Sequence, residues 1–84
     1  MLQNKYGKEV LMKAYIKRMR DLREDNDKTQ KEIADVLGTS QTMYARYERG
    51  ANELPLRHLL ALCDYYKVSA DYFLGRTDKA DMNR

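Results

Sequence analysis

The sequence predicts an all-α domain of five short helices. Three observations carry that expectation. β-branched residues are scarce, and no stretch alternates apolar and polar side chains for long, so no strand is expected. Apolar residues recur instead at steps of three and four, the spacing of one helical face. The only proline is Pro55, and the four glycines are Gly7, Gly38, Gly50 and Gly75, sparse punctuation that suits helices joined by few, short loops.

The first helix is expected from Lys8 to Asp25. Val10, Leu11, Ala14, Tyr15, Met19 and Leu22 form its apolar stripe, with Gly7 and the residues before it fraying. The run Glu24-Asp25-Asn26-Asp27 should end it, because Asn and Asp tolerate the left-handed conformation. Thr29 followed by Glu32 is a capping-box pattern and opens a second helix, Gln30–Leu37, with Ile33, Ala34 and Leu37 facing inward and Gly38 as its stop. After the turn Gly38-Thr39-Ser40, Ser40 caps a third helix that runs from Gln41 to Arg49 and ends at Gly50. Tyr44 and Tyr47 can both face the core, which leaves Gln41, Thr42, Ala45, Arg46 and Arg49 on the other side. Pro55 belongs in the first turn of a fourth helix, whose expected stripe is Leu56, Leu59, Leu60, Cys63 and Tyr66. Ser69 caps a fifth, Ala70–Leu74, ended by Gly75. Residues 76–84 are polar and expected to be loose.

Composition removes several function classes. Eighty-four residues make one domain, with about 60–65% of the unfolded surface buried. No apolar run is long enough to span a membrane, and the first ten residues lack the apolar core of a signal peptide. One cysteine, Cys63, gives no disulfide framework, and with the single histidine, His58, it makes no zinc site. Cys63 reads as a small buried hydrophobe and His58 as a surface residue. No nucleophile–base pair, metal cluster or phosphate loop suggests an enzyme, and no cofactor is implied. The net charge is +3, with the basic surplus in the first fifty residues, which permits a polyanionic partner without requiring one. The basic run Lys13, Lys17, Arg18, Arg20 and Arg23 reads as a solvated helix face.

Two short helices joined by a tight glycine turn describe a helix-turn-helix. Ala34 supplies the small residue where the helices approach, Gly38 makes the turn, and Tyr44 and Tyr47 anchor the second helix. The sequence resembles the Cro-type, or xenobiotic-response-element-type, transcriptional regulators. The resemblance lies in Thr29-Gln30-Lys31-Glu32-Ile33-Ala34, Leu37-Gly38, Ser40-Gln41, Arg46-Tyr47-Glu48-Arg49-Gly50 and Leu54-Pro55-Leu56. It continues in Val68-Ser69-Ala70-Asp71-Tyr72-Phe73-Leu74-Gly75-Arg76-Thr77 and covers roughly Ile16 to Thr77. It implies a compact five-helix, lambda-repressor-like DNA-binding domain over residues 16–77. Residues 1–15 are then an N-terminal extension continuing into the first helix, and 78–84 a polar tail.

The resemblance also implies roles. The third helix would enter the major groove of a double-stranded operator, with Gln41, Thr42, Ala45 and Arg46 at base-contacting positions. Gln30, Ser40, Met43, Arg49, Asn52 and Arg57 are candidates for the DNA backbone, and Gln30 matches a position that also braces the glutamine at 41. Arg23 and Glu48 match a structural ion pair. The function implied is a sequence-specific regulator, a repressor, binding as a homodimer in the cytoplasm of a prokaryotic or phage setting. The alternative is an antitoxin-like module of the same fold, with a regulatory protein partner and secondary DNA binding. Three positions depart from the family pattern. Lys28 stands where a leucine is usual, Tyr44 where a small aliphatic residue is common, and Lys67 where Gly or Asn often ends the fourth helix.

Overall fold

A computed structural model describes the backbone of residues 7–81 and the side chains of residues 14–81. Five helices follow in order: α1 Gly7–Asp25, α2 Gln30–Leu37, α3 Gln41–Arg49, α4 Leu56–Tyr66 and α5 Ala70–Phe73. Among the described residues there is no strand. Each expected helix is present, its ends within a residue of expectation. Gly7, expected to fray, is instead the first residue of α1; Val10, Leu11 and Lys13 lie outside the residues whose side chains are described, and the fraying expected before Gly7 and the looseness expected of residues 82–84 lie outside the described backbone.

α2 packs against α3, α1 lies across α3 and α5, and α4 backs α2 and α5. Met19, Ile33, Tyr44, Leu62 and Phe73 are fully buried at their meeting point, one or more from every helix. Ala34, Tyr47, Leu59, Cys63 and Val68 complete the core. Burial pushes the Cys63 thiol above its ordinary pKa, as suits an inert packing group. Stability rests on this cluster: truncating a buried Phe to Ala costs about 3–5 kcal/mol, against a total of roughly 4–13 for a chain this size.

The buried face of α4 differs from the expected stripe. Leu59 and Cys63 point inward, with Tyr66 half-buried, but Leu56 is 68% exposed and Leu60 50%. Leu62 and His58 take the inward places. His58 is 7% exposed and packs edge-on against Tyr47, ring centroids 5.9 Å apart, so it is no surface residue. Positions 58, 59, 62, 63 and 66 share one helical face as readily as the leucine set does. The faces of α2 and α5 packed against α4 select between them.

Helix ends close through left-handed residues. Gly38 and Gly50 have φ of 69° and 77°. Asp27 and Lys67 adopt the same conformation, φ 55° and 61°, without being glycine. At Lys67 the geometry is still that of a helix stop: the Val68 amide donates to the Cys63 carbonyl at 3.0 Å.

Residues 76–81 are not loose. Arg18 donates to the carbonyl of Tyr72 at 2.8 Å and to Asp78 Oδ1 at 3.3 Å, and its guanidinium lies 3.9 Å from the centre of the Tyr72 ring. The Ser69 amide donates to the Ala80 carbonyl, and Ala80 packs on the core. Polar composition predicts looseness only when the polar groups lack partners, and Arg18 supplies them. The basic run on α1 is accordingly not one solvated face: Arg18 and Arg23 are engaged and Lys17 pairs with Asp21 at 2.6 Å, while Arg20 is exposed.

Candidate nucleic-acid interface

Local signals position α3. Thr29 Oγ1 accepts from the Glu32 amide at 3.0 Å, and Glu32 Oε1 accepts from the Thr29 amide at 2.8 Å, a complete capping box. That bond to the Thr29 backbone holds the Glu32 carboxylate below its ordinary pKa. At the other end of α2, the Thr39 amide donates to the Ala34 carbonyl across Gly38. A methyl group on Gly38 would touch nothing within 4 Å, so glycine is needed there for its backbone angle alone. Ser40 Oγ then accepts from the Met43 amide at 3.0 Å and starts α3.

The inner face of α3 is locked by a polar hub. Glu48 is buried, its side chain 4% exposed. Its Oε2 accepts from Arg23 Nε at 2.7 Å and from the Tyr44 hydroxyl at 2.5 Å. Its Oε1 accepts from Arg23 Nη2 at 3.0 Å and from Gln30 Nε2 at 3.1 Å. A carboxylate has about four acceptor sites, and here all are filled. Burial acts to raise the pKa of Glu48, but the donors Arg23, Tyr44 and Gln30 outweigh it and hold the group below the ordinary glutamate value. The same bond raises Arg23 further, and burial pushes the Tyr44 phenol well up, so it stays a donor. Arg23 also donates to the Lys28 carbonyl at 3.0 Å.

The hub explains two features of the sequence and corrects one expectation. Tyr44 needs its length, because its hydroxyl must reach Glu48 while its ring fills the core. Lys28 is half-buried, and its carbonyl serves Arg23. Gln30 braces Glu48 and not Gln41. Tyr44 and Gln30 as partners of the Arg23–Glu48 pair were missed by sequence reasoning. The i, i+4 spacing of Tyr44 and Glu48 is the one local signal for them.

The outer face is open. Gln41, Thr42 and Arg46 are exposed and Ala45 is half-buried. Gln41 and Ala45 are four apart, as are Thr42 and Arg46, so the four form one patch along the helix. Arg46 Nε donates to Asn52 Oδ1 at 2.7 Å. Asn52 is neutral, so the guanidinium keeps its full charge. Ser40 and Arg49, at the two ends of α3, are exposed, as is Arg57 in the first turn of α4, and Met43 is half-buried against the core. Arg49 also borders a groove formed with Ile16, Lys17, Arg20, Asp21 and Glu48. Among the described residues, Arg20, Arg46, Arg49 and Arg57 have no carboxylate within salt-bridge distance.

The helix-turn-helix family matches residues 19–73 of this chain. Three relatives are similar over much of its length. The HTH-type transcriptional regulator YobD of Bacillus subtilis is 37% identical over 67 residues, 80% of this chain and 60% of the relative. The HTH-type transcriptional regulator ImmR of the same organism is 34% identical over 67 residues, 80% and 53% of the two chains. The cryptic phage CTXphi transcriptional repressor RstR of Vibrio cholerae is 34% identical over 59 residues, 70% and 53%. The chain thus spans between half and two thirds of the length of these relatives. No solved structure matches it. Five helices without a strand among the described residues, a glycine turn between α2 and α3, and the match over residues 19–73 agree: the chain belongs to the helix-turn-helix family.

Proposed function

We propose that this chain is a sequence-specific, double-stranded DNA-binding transcriptional regulator that acts as a repressor and reads the major groove with α3. One observation carries the reading. The inner face of α3 is fixed by Tyr44, Tyr47 and Glu48, while Gln41, Thr42, Ala45 and Arg46 stand on its outer side. An α-helix fits the major groove, where base edges offer a distinguishable donor and acceptor pattern. Gln41 suits a bidentate contact with adenine and Arg46 one with guanine; Thr42 bonds either, and Ala45 meets a thymine methyl. Arg49, Arg57, Ser40, the Asn52 side-chain nitrogen and the main-chain amide of Gln30 face the phosphates and set register, while Met43, half-buried, adds only apolar contact with the backbone sugar. The name of RstR as a repressor supports the direction of regulation.

The protein acts in the cytoplasm, on the nucleoid, as a homodimer whose half-sites lie about 34 Å apart. Selection of bound sequences from a random duplex pool tests the reading. Wild-type protein should enrich a two-fold symmetric site, and Arg46→Ala should lose about 1–3 kcal/mol of binding and relax preference at one base pair per half-site. Duplex affinity that does not fall with added salt, or a pool that yields no sequence, would remove the proposal.

A further inference from the structure

We infer that Asn52 is a positioning residue for base recognition, presetting the Arg46 guanidinium so that its two terminal nitrogens are presented together to a guanine. The inference rests on the DNA-reading proposal above and deepens it. Two bonds tie Arg46 and Asn52 to each other. Arg46 Nε donates to Asn52 Oδ1 at 2.7 Å, and the Asn52 amide donates to the Arg46 carbonyl at 3.4 Å, beside the 2.9 Å bond from the Ala51 amide to that carbonyl. Arg46 lies in the last turn of α3 and Asn52 three residues beyond its end, and the two meet because Gly50 turns the chain at φ 77°. At Gly50 a methyl group would press on Ile16 Cδ1 at 3.0 Å, so the turn is fitted against α1 and not free to drift.

The chemistry follows from the groups. A guanidinium has only donors, so the asparagine must turn its oxygen toward Arg46 and its nitrogen away. The guanidinium is planar, and holding Nε fixes the plane in which Nη1 and Nη2 lie. Those two nitrogens are the pair that meets guanine O6 and N7. A free arginine side chain loses rotamer entropy when it is held, and here part of that loss is taken on folding. The acceptor is an uncharged amide. A carboxylate would hold the same geometry but cancel the positive charge and repel the phosphates.

The test uses the full chain and the duplex selected by wild-type protein, with each base pair swapped in turn. The readout is the ratio of affinities for the selected and swapped duplexes, which does not depend on the folded fraction of a variant. Asn52→Ala should lower the ratio at the base pair that Arg46→Ala affects by about three- to tenfold, part of what a bidentate arginine supplies. Ratios elsewhere should stand, and adding Asn52→Ala to Arg46→Ala should change no ratio further. Asn52→Asp should keep the ratio while weakening every duplex alike. Equal weakening of all duplexes by Asn52→Ala, or no change, overturns the inference and leaves base reading by Arg46 intact. If Arg46→Ala alone moves no ratio, base reading by Arg46 fails, and the inference fails with it.

Discussion

On the inner side of α3, Arg23 gives its guanidinium to a buried carboxylate that accepts two further hydrogen bonds, from Tyr44 and Gln30. On the outer side, Arg46 gives one nitrogen to a neutral amide at the surface. Both arginines are oriented through Nε, but only the first is neutralised. An arginine held by a carboxylate ties helices together and has little field left for a ligand. An arginine held by an amide is oriented and still charged. The identity of the acceptor therefore separates a structural arginine from a recognition arginine better than burial alone.

Four substitutions or conditions break or sharpen this contrast. The largest effect belongs to Glu48→Ala, which strips the largely buried Arg23 guanidinium of its bidentate partner and leaves it only the exposed Glu24 carboxylate at 3.8 Å. It should cost about 3–5 kcal/mol, read from the urea midpoint, whereas Arg46→Ala should stay within about 0.5 kcal/mol of wild-type stability. Equal losses in the two variants would erase the distinction. Tyr44→Phe comes next. It removes one donor to a charged group and should cost about 1.5–3 kcal/mol in the same assay, with base preference unchanged. A smaller effect is expected from Gly38→Ala. The methyl meets no neighbour, so only the left-handed angle opposes it, at about 1 kcal/mol. A far larger loss would mean that the turn also bears on how α3 is held.

The smallest effect is on pH. Burial, assisted by the charge of Arg57, holds the His58 imidazole below its ordinary pKa of 6.5. The unfolded chain therefore takes up the proton first as pH falls. The stabilising contribution is complete above about 6.5 and is lost as pH drops through the folded value. Melting temperature should decline slightly from pH 7 to 5.5 in the wild type and less so in His58→Phe, which keeps an aromatic edge against Tyr47. A decline of the same size in both proteins would assign it to other groups.

The parts legible in the sequence were those whose cause is local. The caps at Thr29 and Ser40 and the stops at Gly38 and Gly50 act over three or four residues, and they mark α2 and α3 to the residue. The inward turn of Tyr44 and Tyr47 follows from helical spacing. The buried face of α4 did not follow, because Leu56 and Leu60 fit one stripe and His58 and Leu62 another. The packing partners decide between them, and those are distant in the chain. The four-bond hub at Glu48 joins α1, α2 and α3, and only the Arg23 pairing was visible beforehand, through family resemblance. The bonds from Arg18 to Thr77 and Asp78 span about sixty positions, out of reach of any periodicity.

Lys67 holds a backbone angle that suits glycine, and nothing in helix capping requires a lysine there. Lys67→Gly, at the C-terminal end of α4, should therefore add about 1 kcal/mol. That reserve has a practical use. In the reinforced chain a milder hub variant such as Tyr44→Phe recovers part of its loss before a binding assay, which helps to tell lost recognition from lost folding.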